Sequence, residues 1–253
     1  MLGQQIFDNA MIEPFLQFFN GDSVFEGLGI SSLETTYKWK VPDSAETLFG
    51  KISGNSRYAQ NISLKFAIQK KWNDDPSSRR KIIEWIISDW GGINGNRKTT
   101  FDEYERRMTT DLSDTPITGI ASFSKVLAIY DPKKYAIYDA RVAVSLIAIQ
   151  LLSKSSNALA FPYLSGRNKV TGHWSPKPKV GFSTMPQYST KVLTKPPHNW
   201  SRVKRQDSYK TYIDLLTHIR DASDHKWEIY DLEMALFAQA PELAKRQEPS
   251  LDK

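Results

Sequence analysis

A mainly α-helical fold, interrupted by one long irregular basic segment, is what this chain predicts, on three observations. Apolar residues recur at helical spacing, as in Ile82, Ile83, Trp85, Ile86, Ile87 and Trp90 between Arg79 and Gly91. The stretch from Pro116 to Gln150 divides at Asp131-Pro132 into two further helices, because the residue before a proline is pushed out of the helical region and Asp-Pro favours a turn. Between Phe161 and Ser208, six of the thirteen prolines interrupt the chain, which reads there as irregular.

Taken in order, Met1 to Asn20 predicts a short amphipathic helix carrying Ile6, Phe7, Met11, Phe15, Phe18 and Phe19. Gly21 to Pro42 is loop-rich, with an extended piece expected over Thr35 to Val41. Asn61 to Trp72 reads as a helix through Ile62, Phe66, Ile68 and Trp72. Asp74-Asp75-Pro76-Ser77 stops it and starts the next, which runs from Arg79 to Trp90 and ends at Gly91-Gly92. The polar loop Gly92-Ile93-Asn94-Gly95-Asn96 is most simply a helix C-cap followed by a turn. Phe101 to Met108 is a charged helix. A last pair, Tyr209 to Asp221 and Trp227 to Leu243, closes the sequence.

The central pair carries the chemistry. Its first helix is expected from about Ser122 to Tyr130, entered through a tight Thr118-Gly119-Ile120 corner with serine as the cap. The second begins at Asp139 and is apolar nearly all round through Val142, Val144, Leu146, Ile147, Ile149, Leu151 and Leu152, so it should be buried. Asp139 is placed to cap this helix through the amide of Arg141 or Val142. That role is structural by itself. A carboxylate held at a helix N-terminus also stays ionised, which suits it to stabilising a cation or orienting a water.

Charge narrows the partners. The chain has 253 residues and a net charge of +6. No Asp or Glu occurs between Asp139 and Asp207, whereas Arg141, Lys154, Arg167, Lys169, Lys177, Lys179, Lys191, Lys195, Arg202, Lys204 and Arg205 all fall there. The rest of the chain is therefore net acidic, and a polyanion would be drawn to the side that holds Asp139. Phe161, Tyr163, Trp174, Phe182, Tyr188 and Trp200 are interleaved with these cations, a mixture suited to stacking unpaired bases beside phosphate contacts.

Ile117-Thr118-Gly119-Ile120-Ala121, then Ser124-Lys125-Val126-Leu127-Ala128, then Ala136-Ile137-Tyr138-Asp139 resemble the helix-hairpin-helix DNA glycosylases, especially the 8-oxoguanine glycosylase branch. The likeness covers about 35 residues well and the remainder in outline. It implies a two-lobed helical glycosylase fold over 1–253, with an N-terminal helical lobe over 1–110, the hairpin and catalytic helix over 111–153, the basic aromatic segment over 154–208 and C-terminal helices over 209–253. In that family a glycine hairpin binds DNA phosphate through backbone amides, which here points to Gly119, Ala121, Ser122 and Ser124. The family's catalytic aspartate falls on Asp139. Ala121 replaces the second hairpin glycine, Tyr138 stands where valine is usual, and the span from Lys125 to Asp139 is shortened, so the family's lysine position falls on Lys125 or, without a gap, on Phe123.

The resemblance implies further sites. An asparagine fills the gap left by an extruded base in similar glycosylases, a part open to Asn94 or Asn96. Their C-terminal helix sends a polar side chain and an aromatic four residues apart into the base pocket, a spacing matched by Glu233 and Phe237. Glu233 lies among Ile229, Tyr230, Leu236 and Phe237, so its carboxylate should face the apolar side, where a salt bridge is the plain structural reading. Phe161, Tyr163 and Trp174 are the other pocket candidates. Arg141, Arg167, Lys169, Lys177, Lys179, Arg202, Lys204 and Arg205 are the DNA-binding cations.

Other chemistries fit less well. Cysteine is absent, which excludes disulfides and a cysteine-ligated iron–sulfur cluster. His173, His198, His218 and His225 show no zinc-type spacing, and no phosphate loop or serine elbow occurs, so no cofactor or metal is expected. The N-terminus lacks a secretory pattern and no apolar run is long enough to span a bilayer, so the expectation is a cytoplasmic protein acting on double-stranded DNA without a membrane. The expected activity is release of a modified base, with water as nucleophile. The candidate substrates are a bulky modified cytosine of phage DNA, as for antiviral relatives by resemblance, or an oxidised or alkylated purine. A non-catalytic DNA-binding module is the reading from another class.

Overall fold

The computed structural model describes residues 7–108, 119–164 and 189–247, which form a mainly helical protein. The expected corner residues Ile117 and Thr118, and Arg167, Lys169, His173, Trp174, Lys177, Lys179, Phe182 and Tyr188, lie outside the described residues. Helix α1 (Asn9–Asn20) starts where the Asp8 carboxylate accepts the Met11 amide, and it stops at Gly21 in the left-handed conformation. Its Phe15, Phe18 and Phe19 are fully buried, each contributing about 1.5–3 kcal/mol of transfer free energy. The extended piece expected over Thr35 to Val41 forms no strand: Thr35 and Thr36 are helical, and the backbone turns extended only at Tyr37. A short helix α2 (Leu33–Thr36) ends at Tyr37, and Tyr37 to Val41 stays irregular, its packing deciding its course in place of a ladder.

Helix α3 (Ala45–Phe49) leads to α4 (Arg57–Asp74), longer at both ends than the apolar spacing indicated, its start set by Ser56, which accepts the Ala59 amide as N-cap. A 3₁₀ turn at Pro76–Ser78 opens α5 (Arg79–Trp85), which runs on into a π-helical turn, Ile86–Trp90. Helix α6 (Lys98–Arg107) follows the glycine-rich loop.

The hairpin helices are α7 (Ile120–Tyr130) and α8 (Ala140–Leu152). The expected serine cap of α7 is corrected. Gly119 occupies that position with φ of +72° and no side-chain cap forms. Helix α8 is buried along almost its whole length and packs most extensively on α11 (Ile229–Arg246), where the Ser145 hydroxyl donates to the Leu236 carbonyl at 2.6 Å. Gln150 at the end of α8 pins strand β1 (Leu159–Ala160), accepting the Leu159 amide at 2.7 Å and donating to the Leu159 carbonyl at 3.0 Å. After α9 (Thr190–Leu193), β1 pairs in parallel with β2 (Ser201–Arg202), in the register Leu159 with Ser201. Helix α10 (Ser208–Ala222) then lies against α1 and α11. Glu228 and Asp231 form a capping box at the start of α11. No described helix is long and apolar enough to cross a membrane.

Candidate active site

Four helices contribute charged side chains to one interior region, and each helix places its residue there for a local reason. Asp139 is extended backbone just before α8, where its Oδ1 accepts the Arg141 amide at 2.9 Å and the Val142 amide at 3.2 Å. Both anticipated capping bonds form, on one oxygen, so Oδ2 carries no bond to the described residues. The preceding Tyr138 is held by its own amide, which donates to the Ser124 hydroxyl on α7 at 3.0 Å. Ser124 is fully buried in that bond. It joins the hairpin helices and cannot face a DNA backbone, a correction to its expected role.

Lys125 on α7 lies in the same interior, 8 % exposed, and its ammonium donates to the Ala121 carbonyl one turn back at 2.6 Å. Its stem passes the end of the π-turn, where a Cβ on Gly91 would stand 3.0 Å from Lys125 Cδ and closer still to two backbone oxygens. The glycine that ends that helix therefore also leaves room for the lysine. Burial holds the Lys125 pKa below its ordinary value, and the carboxylates of Asp139 and Glu233 partly offset this. The alternative position, Phe123, is fully buried, with its ring 5.1 Å from Tyr104 and the Arg107 guanidinium 3.8 Å above it. Of the two, Lys125 is the charged side chain on which Asp139 acts.

Glu233 projects from α11 into this interior. It forms an ion pair with Lys65 of α4 at 2.5 Å, each side chain only 1 % exposed. Burial raises the Glu233 pKa above the ordinary carboxyl value, Lys65 opposes the rise, and Asp139 adds to it. Its charge is thus committed to Lys65 and not to open space. Sequence reasoning misses Lys65. Its signal is its place on the buried face of α4, with Asn61 four residues before it and Ile68 and Trp72 three and seven after.

Beside these charges stands an aromatic wall. The Arg141 guanidinium lies 4.5 Å over the Phe237 ring, and Phe237 meets Tyr37 at 6.1 Å and Trp39 edge-on at 5.4 Å. Trp39 is fixed by donating to the Trp90 carbonyl at 3.0 Å, and Asn61 joins Trp39 to Trp90 from behind. Tyr37 and Trp39 come from the stretch expected to be extended, and nothing in their spacing marks them as neighbours of Phe237. Arg141 forms no ion pair among the described residues, although Asp139 acts on its charge. Phe161 is fully buried, and Tyr163 is half-buried just after it.

At the outer end of α7, Gly119 is exposed, with Ala121 half-buried and Ser122 buried behind it. The Tyr104 hydroxyl donates to the Gly119 carbonyl, and a Cβ on Gly119 would lie 2.8 Å from that same hydroxyl. Gly119→Ala should therefore cost about 1–3 kcal/mol through its left-handed backbone and this clash, read in a denaturant titration. Asn94 is exposed, and Asn96 is half-buried with its side-chain nitrogen lacking a partner among the described residues. Arg202, Lys204 and Arg205 are exposed along and after β2. Among the described residues, no group of His, Cys, Asp or Glu side chains is arranged to hold a metal ion.

No family model, curated protein or solved structure matches this chain. The arrangement itself must carry the functional reading. It offers one carboxylate with an oxygen unused by its helix cap, a buried amine close enough to feel it, a second carboxylate already paired, and aromatic rings alongside.

Proposed function

We propose that this protein is a DNA glycosylase that extrudes a modified nucleotide and hydrolyses its N-glycosidic bond. The observation that carries the reading is that Asp139 and Lys125, on successive helices entered through a left-handed glycine, share one interior region. Cleavage of the bond from C1′ to the base nitrogen sends the electron pair out with the base and leaves an oxocarbenium-like sugar. The Asp139 carboxylate stabilises that charge and accepts a proton from the water that adds to C1′. Trp39 and Phe237, backed by the buried Tyr37, supply stacking surface for the extruded base, which is more than Glu233 can do while paired with Lys65. A bulky modified cytosine is the substrate proposed first, and an oxidised or alkylated purine second.

The decisive test is mass-spectrometric detection of free bases released from normal DNA, phage DNA with and without glucosylated hydroxymethylcytosine, and duplexes containing 8-oxoguanine or an alkylated purine. Release of any one upholds the reading and names the substrate. Tight binding with no release from any of them replaces it with a binding module in which Asp139 is only a helix cap.

Water, not Lys125, is the expected nucleophile, because the lysine ammonium is buried and tied to its own helix. Borohydride added during turnover should trap no protein–DNA adduct, and an adduct mapped to Lys125 would reverse this assignment. Binding to duplex DNA should weaken steeply with salt. Replacing Arg202, Lys204 and Arg205 by glutamine should flatten the log–log slope by roughly 0.9 for each phosphate that is no longer neutralised, as read by fluorescence anisotropy.

A further inference from the structure

Arg141 carries donors that the fold does not use. It leaves α8 in the first turn, two residues after Asp139, and its backbone amide is one of the two held by the Asp139 carboxylate, at 2.9 Å. Its half-buried guanidinium lies 4.5 Å over the ring of Phe237 on α11. A ring attracts the charge but offers no lone pair, so the five N–H donors of the guanidinium keep their capacity. The side chain donates no hydrogen bond and forms no ion pair among the described residues.

The neighbouring rings set what can approach these donors. Trp39 stands edge-on to Phe237 at 5.4 Å, both are half-buried, and the Trp39 indole N–H is already given to the Trp90 carbonyl at 3.0 Å. The two rings therefore offer apolar surface and no further donor. A phosphate has no π-face and gains nothing from such a wall, whereas a nucleobase stacks on rings while its edge takes up the donors. Glu233, one turn before Phe237 on α11, does not share this task, because its carboxylate is held by Lys65.

We infer that Arg141 reads the extruded base, and that its donor fork selects a base with two neighbouring acceptors. The inference rests on the glycosylase reading and orders the substrates proposed for it. Cytosine carries O2 beside N3 on its pairing edge, both acceptors, and a substituent at C5 leaves that edge unchanged. An 8-oxoguanine bears hydrogen at N7, and a purine alkylated at N7 has lost that lone pair, so neither offers the O6 and N7 pair that a guanidinium takes on guanine. Thymine and uracil bear hydrogen at N3. A cytosine modified at C5 is the base this fork accepts.

The test uses duplexes with a single 5-hydroxymethylcytosine or 5-hydroxymethyluracil nucleotide opposite an abasic residue, carrying a 2′-fluorine that slows cleavage so that binding is read by fluorescence anisotropy. The two bases share the C5 substituent and differ on the pairing edge. Wild type should bind the cytosine duplex about fivefold to 150-fold more tightly, the discrimination that one bidentate pair supplies. Arg141→Met keeps a flexible chain against Phe237, and Arg141→Lys keeps the charge; both should lose the preference while their salt slopes stay at the wild-type value. A wild type without preference or a lysine variant that retains it would overturn the inference. So would a methionine variant that weakens both duplexes alike and lowers the log–log slope by about 0.9, which assigns Arg141 to a phosphate. If the wild type shows the preference yet releases no base from any cleavable DNA, base reading by Arg141 stands and hydrolysis falls. Release of a base without the preference leaves the glycosylase reading intact and removes this inference alone.

Discussion

Asp139→Asn is expected to lower base release by about a hundredfold to a thousandfold, the scale found when one preorganised electrostatic group is removed from a reacting centre. The substitution keeps size, and asparagine still accepts the Arg141 and Val142 amides, so α8 retains its cap. Only the charge is lost. Affinity for duplex DNA should therefore persist, and the thermal midpoint should move little. Single-turnover kinetics beside anisotropy titrations separate the two effects. Unchanged release would show that Asp139 serves α8 and nothing else, whereas loss of binding together with release would point to a damaged hairpin.

The second large effect is on stability. Lys65→Met should cost about 3–5 kcal/mol, because it leaves Glu233 charged, buried and unpaired between α4 and α11. The double variant Lys65→Met with Glu233→Leu should recover most of that loss, since apolar side chains of similar volume need no partner. The sign of the pH dependence follows from Glu233. Burial already outweighs Lys65 and holds the carboxyl pKa above its ordinary value, and without the lysine it rises further. A raised folded-state pKa contributes stability that is complete below the unfolded carboxyl pKa and is lost as pH rises through the folded one. The deficit of Lys65→Met should accordingly be small in acid and grow toward neutral pH, as read by urea titrations across that range. A deficit independent of pH would mean that Glu233 finds another partner. The recovered double variant also separates roles, for a pair that only holds helices together can be replaced without loss of base release.

Lys65 and Glu233 illustrate why part of the site was not legible along the chain. The apolar face of α11 predicted that Glu233 turns inward, because side-chain direction in a helix follows from spacing alone. Its partner lies 168 positions away on another helix, and no local rule chooses which buried cation it meets. Tyr37 and Trp39 were equally silent. Their irregular backbone has no period, and only the docking of α11 brings Phe237 against them. Ser124 failed in the opposite sense. Its place after the hairpin suggested a phosphate contact, but the Tyr138 amide claims its hydroxyl once the two helices close.

What the sequence by itself determined is local. Helix spacing, the Asp131-Pro132 break and the Asp139 cap each depend on residues a few positions apart, and these place α7, the turn and α8. The acid-free run from 140 to 206 is likewise a property of the chain alone. Only the tertiary structure decided that Lys125 and not Phe123 is the buried charge on which Asp139 acts, that Glu233 is paired with Lys65, and that Tyr212 is buried with its hydroxyl unpaired among the described residues. These outcomes depend on how α4, α7, α8, α10 and α11 pack at long sequence separation. Buried charges and hydroxyls are then matched, or left unmatched, by neighbours that the chain order does not specify.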